Sequence, residues 1–133
     1  MAGKVPAPKG PYSPWVKAGG YIYVSGQGPV NASTGEVFLG DIQEQTRLTL
    51  ENVRAVLEDS GAALDNVIKT TVFLTEIGDF AAMNEVYAAS FGKIRPARST
   101  VQVAKLPLGI SVEIEAVAVD PEALIEVQRL GDK

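Results

Sequence analysis

An arginine near the end of the chain is placed to bind a small acid. Pro96 fixes the entry to a predicted strand in which Arg98, Thr100 and Gln102 share one face. The planar guanidinium of Arg98 matches a carboxylate with two parallel hydrogen bonds. The alternative is that Arg98 forms a structural salt bridge or lies solvated on the surface.

A pair of glutamates shares one face of the next predicted strand. Glu113 and Glu115 alternate there with apolar residues that point to the other face. A carboxyl group in partly apolar surroundings has a raised pKa, and it can act as a base or hold a water. The alternative is that both glutamates are exposed or paired with lysine and arginine.

Two polar residues nearer the N-terminus could also line a site. Tyr12 lies between prolines in a rigid segment, so its hydroxyl could be aimed at a ligand. Ser25 ends a predicted strand at Gly26, where a ligand could approach the backbone closely. Ordinary turn chemistry explains both residues as well. Gly26-Gln27-Gly28 has no following helix, so it is only a weak signal for a nucleotide loop.

The elements that must position these residues follow from hydrophobic periodicity and turn signals. Two strands around Gly19-Gly20 are typical of a hairpin. Asp41 begins a helix over 41–60 that Gly61 ends. Asp79 caps a second helix over 80–91, whose core-facing apolar stripe is predicted to be Phe80, Met83, Tyr87 and Phe91. Further strands are predicted over 67–74, 98–103 and 112–119, with a short one over 36–39. Alternation in the first of them puts Ile68, Thr70, Val72 and Leu74 on one face.

The C-terminal residues carry a weaker helical pattern. Asp120 can cap a helix, Pro121 suits its first position, and Leu124, Val127 and Leu130 follow at near-helical spacing. The pattern predicts a short amphipathic helix over 121–130 that docks on an apolar surface, with a frayed tail as the alternative.

The element order favours an α+β fold in which two helices pack on one face of a mixed sheet. Apolar residues remain on the other face, and we expect a second copy of the chain to cover them. Residues 1–120 form the single predicted domain, with 1–11 as an extended lead-in and 121–133 as a C-terminal extension.

Composition excludes several functions. The 133 residues include no His and no Cys, which removes serine-protease triads, thiol nucleophiles and zinc-thiolate sites. The net charge of −4 makes nucleic acid a poor partner, and an RNA-directed role is disfavoured for the same reason. We find no apolar signal segment and no membrane span, so we expect a cytoplasmic location.

Nine short segments together resemble the RidA/YjgF family of enamine/imine deaminases, in the family's order. They are Gly10-Pro11-Tyr12-Ser13, Val24-Ser25-Gly26-Gln27, Thr34-Gly35-Glu36-Val37, Asn52-Val53, residues 67–74, Asp79-Phe80 through Met83-Asn84, Pro96-Ala97-Arg98-Ser99, Leu106-Pro107 and Val112-Glu113-Ile114-Glu115-Ala116. The resemblance implies a chorismate-mutase-like fold and a homotrimer with its sheets inward. It also implies active sites between subunits and no cofactor or metal.

The activity that the resemblance implies is hydrolysis of 2-imino acids, such as 2-iminobutanoate and 2-iminopropanoate, and of their enamines. The products are 2-oxo acids and ammonia, and the substrates come from pyridoxal-phosphate enzymes. Arg98 matches the family arginine that binds the substrate carboxylate, and Glu113 matches the glutamate that positions water. The matching pocket residues are Tyr12, Ser25, Asn84 and Thr100, the last through its backbone N–H.

Two questions stay open on the sequence alone. A trimeric sensor that binds 2-oxo acids with little turnover would use the same Arg98 and Glu113. Arg95 also stands before Pro96, where the family commonly has an apolar or aromatic residue. The preferred imino acid is therefore not fixed by the resemblance.

Overall fold

The computed structural model describes residues 4–130 and consists of one five-stranded sheet with two helices on one face. The strands are β1 (Trp15–Ala18), β2 (Tyr21–Gln27), β3 (Val67–Leu74), β4 (Ala97–Gln102) and β5 (Val112–Val119), and the helices are α1 (Ile42–Asp59) and α2 (Phe80–Phe91). The sheet order is β1-β2-β5-β3-β4, and only the β3–β4 pair is parallel. The predicted α+β fold with a mixed sheet is confirmed.

Local sequence signals explain the element boundaries. Gly19 and Gly20 both have positive φ, 61° and 88°, as a tight primed hairpin turn requires. The Asp41 side chain accepts a hydrogen bond from the Glu44 N–H and caps α1. Gly61 follows α1 with φ 93°, in the left-handed region where glycine carries no steric cost. Asp79 precedes α2, but its side chain makes no capping hydrogen bond.

The core lies between the sheet and the helices. Its largest buried side chains are Ile22, Leu50, Leu57, Leu74, Met83 and Ile114. Thr70, Val72 and Leu74 face this core as predicted. Ile68 does not, because a register shift between Val67 and Lys69 turns Val67 inward instead. Phe80, predicted as part of the core stripe of α2, is 40% exposed.

The opposite face of the sheet is uncovered in the protomer. Val16, Tyr23 and Val101 lie on this open face with 53%, 48% and 43% of their surfaces exposed. An apolar sheet face of this kind is the feature that predicts a second copy of the chain.

Two further predictions are wrong. Residues 36–39 form no strand, since only an isolated bridge joins Val30 and Val37. The helix over 121–130 is also absent: a single 3₁₀ turn covers Pro121–Ala123, and Leu124 then adopts φ 55° and is 94% exposed. The last three residues of the predicted extension lie outside the described part of the chain.

Candidate active site

Arg98 lies on the edge strand β4, and its guanidinium stacks on aromatic rings of α2. The guanidinium carbon is 4.7 Å from the Tyr87 ring centroid and 5.5 Å from that of Phe80. Within residues 4–130 no carboxylate lies within salt-bridge distance of Arg98 and no hydrogen bond holds it. Ring faces attract a guanidinium without using its N–H donors, so the planar fork is left available to an anion.

Tyr87 is buried, and its ring packs against the guanidinium of Arg98. Its hydroxyl lies 2.6 Å from Thr70 Oγ1, and its ring centroid is 4.6 Å from that of Phe91. Burial raises the pKa of Tyr87, so the phenol stays protonated at neutral pH, and the Thr70 and Phe91 contacts hold the ring beside Arg98. Sequence reasoning assigned Tyr87 to the core stripe and missed this second role. Only the strand register could have revealed it.

Asn84 and Thr100 lie beside Arg98 with unused hydrogen-bonding capacity. Asn84 lines the same cleft as Arg98 and Tyr87, and its Oδ1 atom is buried. Neither Asn84 Oδ1 nor Thr100 Oγ1, which is also buried, has a partner in the described range. An unsatisfied buried acceptor costs about 1–3 kcal/mol, which a ligand or a water could relieve.

The backbone N–H of Thr100 faces the free edge of the sheet. The Val103 N–H donates to the Leu74 carbonyl at 2.8 Å, so the groups of Val103 point toward β3. Peptide groups alternate in direction along a strand, and Thr100 therefore points away from β3. The N–H of Thr100 is thus presented at the free edge of β4, the strand that also carries Arg98. The cleft beside Arg98, which we call the Arg98 cleft, is lined by Asn84, Tyr87, Ala88, Phe91, Gly92, Arg95, Pro96 and Arg98.

Glu113 lies on the open face of the sheet in a separate depression. This Glu113 pocket is lined by residues of the N-terminal segment, the end of β2 and the Pro107–Gly109 turn, and it includes Tyr12, Gly26, Gly28, Val30 and Glu113. The carboxyl group packs directly on the backbone of Gly26. A Cβ at that position would lie 2.7 Å from both Cδ and Oε2 of Glu113. The absence of a side chain at Gly26 therefore leaves room for the Glu113 carboxyl group.

The environment of Glu113 disfavours its charged form. Burial raises the pKa of Glu113, and the negative charge of Glu115 on the same face raises it further. Glu115 itself is exposed. The two glutamates thus differ in exposure, and the half-buried Glu113 lies in surroundings suited to proton transfer.

Hydrogen bonds fix the walls of the Glu113 pocket. Ser25 Oγ donates to the Ser13 carbonyl at 2.6 Å, and the Ser25 N–H donates to the Pro14 carbonyl at 3.0 Å. Ser25 thereby holds the segment that carries Tyr12, and it does not itself line the pocket. The Tyr12 hydroxyl accepts from the Lys9 N–H at 3.2 Å.

A buried amide supports the opposite wall of the pocket. Asn52 Nδ2, from α1, donates to the carbonyls of Gly28 and Val30 at 2.9 and 2.8 Å. Asn52 appeared in the sequence only as part of a matching segment, without an assigned role.

One protomer does not bring Arg98 and Glu113 together. Arg98 pairs with Thr70, which faces the core, whereas Glu113 pairs with Phe73 on the open face. From strand spacings of ~4.8 Å and rises of ~3.3 Å per residue, their Cα atoms are on the order of 14 Å apart. The predicted residues therefore form two clusters on opposite faces, with Asn84 and Thr100 near Arg98, and Tyr12 near Glu113.

Among residues 4–130 no cluster of three or more acidic side chains could hold a metal ion. No helix in the same range is long and apolar enough to cross a membrane.

A comparison with models of known protein families identifies the family of this chain. The family model described as Endoribonuclease L-PSP matches residues 2–120. The chain belongs to this family, RidA/YjgF. The match ends one residue after β5, so residues 121–133 of the sequence lie beyond it.

Relatives from several organisms align with this chain over most of their own length. A RutC family protein of Pyrococcus abyssi is 50% identical over 115 residues, covering 86% of this chain and 91% of the relative. TdcF of Escherichia coli, provisionally named a reactive intermediate deaminase, is 45% identical over 119 residues, covering 87% of this chain and 92% of its own. The family role in deamination of reactive intermediates is supported by that name.

Solved structures of RidA/YjgF relatives share the fold. The structure of E. coli TdcF with bound serine has a TM-score of 0.82 at 45% identity and covers 87% of this chain and 93% of its own. A Thermotoga maritima structure, provisionally described as an endoribonuclease, has a TM-score of 0.84 at 49% identity, covering 87% and 91%.

Proposed function

We propose that this RidA/YjgF protein is a deaminase that hydrolyses 2-imino acids, and the enamines in equilibrium with them, to 2-oxo acids and ammonia. The observation that carries the proposal is the guanidinium of Arg98, stacked on Tyr87 and without an anionic partner within residues 4–130. A half-buried arginine without a counter-ion is suited to an anionic ligand. The name of TdcF supports an imine as the reacting group.

The carboxylate of the substrate would bind at the edge of β4. Arg98 would supply two parallel N–H donors, and the backbone N–H of Thr100 would supply a third. Asn84 lies beside them, and its buried Oδ1 could accept a hydrogen bond from a bound N–H group or water. Together these contacts would fix the imine carbon relative to the second cluster.

Glu113 would position the attacking water. Its carboxylate would accept a proton as the water oxygen bonds to the imine carbon. The same proton would then pass to the nitrogen, giving a carbon that carries one hydroxyl and one amino group. The hydroxyl proton would follow to the nitrogen by way of Glu113 as the carbon–nitrogen bond breaks, so that ammonia leaves and the carbonyl forms. An imine hydrolyses unaided at a slow rate, so positioning and proton transfer of this kind are sufficient for catalysis.

Two protomers would complete each site. Arg98 and Glu113 lie on opposite faces of one sheet, and the open face carries exposed apolar side chains suited to subunit contact. In a homotrimer each Glu113 pocket would receive the Arg98 edge of a neighbouring subunit.

The activity can be tested in a coupled assay. Threonine dehydratase releases 2-iminobutanoate from threonine, and semicarbazide traps the imine as an absorbing semicarbazone. Adding the protein should suppress semicarbazone formation. Unchanged trapping at stoichiometric protein, together with measurable binding of 2-oxobutanoate, would instead identify a 2-oxo-acid sensor.

The shared site can be tested with mixed oligomers. Arg98→Ala and Glu113→Gln chains should each be inactive alone. Random reassembly at equal concentrations should restore about a quarter of the sites, because each intact site needs one chain of each kind in the right order. Homo-oligomers of each variant, mixed without dissociation, are the control. No recovery after reassembly would show that each site belongs to a single chain.

A further inference from the structure

Arg95 provides a second cation in the Arg98 cleft. The lining of this cleft includes both arginines and no acidic residue. In the described range neither guanidinium lies within salt-bridge distance of a carboxylate. An open, positively charged cleft of this kind favours a ligand that carries two negative charges.

The backbone of Arg95 is held in an uncommon conformation. Its φ is 45°, in the left-handed region that non-glycine residues rarely adopt. The buried Pro96 follows it, and the Ile94 N–H before it donates to the Phe91 carbonyl at 3.1 Å. The backbone of Arg95 therefore lies between a hydrogen-bonded turn and a buried proline.

The C-terminal tail provides a further restraint on this loop. Arg129 Nη1 donates to the Ile94 carbonyl at 3.0 Å, while Nη2 donates to the carbonyls of Val67 and Asp65 at 2.8 and 3.2 Å. One guanidinium thus links the loop before β4 to the start of β3. Since the family match ends at residue 120, this restraint comes from outside the shared domain.

We infer that the site prefers 2-imino dicarboxylates, the imines of acidic amino acids. This inference rests on the proposed function. Arg98 binds the carboxylate next to the imine carbon, and Arg95 binds the side-chain carboxylate. When the substrate has a single carboxylate, Arg95 stays solvated, which costs no binding free energy. Arg95 therefore favours dicarboxylates without preventing hydrolysis of the smaller substrates.

The chemistry at the imine is the same for both substrate classes. Water oxygen bonds to the imine carbon, the carbon–nitrogen bond breaks, and ammonia leaves, so that a 2-oxo dicarboxylate forms. The second carboxylate is unchanged. A reaction that oxidises the amine of an acidic amino acid would supply such a substrate.

The preference can be measured as a ratio of kcat/KM values. An amino-acid oxidase generates 2-iminosuccinate from aspartate or 2-iminopropanoate from alanine, and semicarbazide trapping reports hydrolysis of either. Arg95→Ala should lower kcat/KM for 2-iminosuccinate by about 5- to 30-fold, the contribution of one solvent-accessible charge-assisted hydrogen bond. Its value for 2-iminopropanoate should change by less than about 2-fold.

Matched variants separate this role from a general charge effect. Lys93→Ala removes the same charge from the same loop, outside the cleft lining, and should leave the ratio unchanged. Arg95→Lys should retain part of the preference, and the preference of the wild type should weaken at high salt. An equal loss on both substrates, or an unchanged ratio in Arg95→Ala, would overturn the inference.

A binding measurement keeps this test independent of turnover. Calorimetric titration with oxaloacetate and with pyruvate should show tighter binding of the dicarboxylate, and Arg95→Ala should remove the difference. If neither imine is hydrolysed but this binding preference is present, the deaminase proposal fails while the dicarboxylate inference stands. Equal binding of the two acids by the wild-type protein would reject the inference.

Discussion

Gly26→Ala is expected to damage turnover while leaving the fold intact. The new methyl group would lie 2.7 Å from Cδ and Oε2 of Glu113, whereas ordinary contacts begin near 3.4 Å. The carboxyl group must therefore move by about 0.7 Å or more, which its flexible side chain allows. Gly26 does not have positive φ, so alanine introduces no backbone strain.

The expected loss follows from the role proposed for Glu113. A displacement near 1 Å of a positioning group can lower the rate by about 10²-fold. Semicarbazone trapping measures this loss, and thermal unfolding should show a melting temperature within a few degrees of wild type. Gly78→Ala is the matched control, because a Cβ there meets no atom within 4 Å.

A double-mutant cycle identifies the cause. If the methyl group acts through Glu113, Gly26→Ala should cost little in a Glu113→Gln background, where the positioned carboxylate is already lost. Additive losses would mean that Gly26 acts elsewhere. Wild-type turnover in Gly26→Ala would refute the requirement for a fixed Glu113 position.

Three other expectations follow. Arg98→Ala should lower kcat/KM about 30- to 1000-fold without dissociating the oligomer. Arg98→Lys should also have low activity, because an ammonium lacks the planar fork. Near-wild-type kinetics of Arg98→Ala would exclude the assigned role. The raised pKa of Glu113 means that activity should fall as pH falls through that value, and Glu115→Gln should move this midpoint to lower pH; an unmoved or upward-shifted profile would contradict the coupling. Asn52→Ala should leave two buried carbonyls unsatisfied and lower the melting temperature by roughly 10 °C, whereas an unchanged melting temperature would show that water replaces the amide.

The sequence was sufficient to predict every main strand and both helices of the described range. Long periodic segments such as residues 42–59 carry enough repeats to specify the period, and Asp41 and Gly61 mark the ends of that helix. The short strand over 36–39 was wrong because Val37 makes only one bridge. The pattern of β3 was misassigned at Ile68 because a bulge shifts the alternation by one residue.

The tail was mispredicted for a different reason. Leu124, Val127 and Leu130 do recur at helical spacing, but the tertiary contacts of the segment are made by other residues, and Leu124 and Leu130 stay 94% and 90% exposed. Ile125 packs so closely on Gly20 that a Cβ there would lie 2.6 Å from its Cδ1 atom. Arg129 donates to three backbone carbonyls of the domain. A segment of about 10 residues gains little from helix formation alone, so these contacts decide its conformation.

Strand alternation could indicate which residues of the candidate site are neighbours on one strand, but it could not assemble the site. Alternation within a strand indicates which residues share a face, as it does for Arg98 with Thr100 and for Glu113 with Glu115. Alternation does not indicate whether residues on two different strands share a face of the sheet, because that depends on the register between the strands. In the folded chain the partners of Arg98 and Glu113 on β3 are residues 70 and 73, an odd separation, so the two side chains point to opposite faces.

Because Arg98 and Glu113 lie on opposite faces of one sheet, no single local motif can contain the functional arrangement. A cation and a carboxylate separated by a sheet cannot act on one small imine unless the edge of one sheet meets the open face of another. The exposed apolar residues of the open face favour such a meeting, because burying them stabilises an assembly. The same subunit contact would then both stabilise the protein and bring the edge that carries Arg98 to Glu113, as their proposed roles require, so a substitution that weakens the contact should reduce stability and activity together.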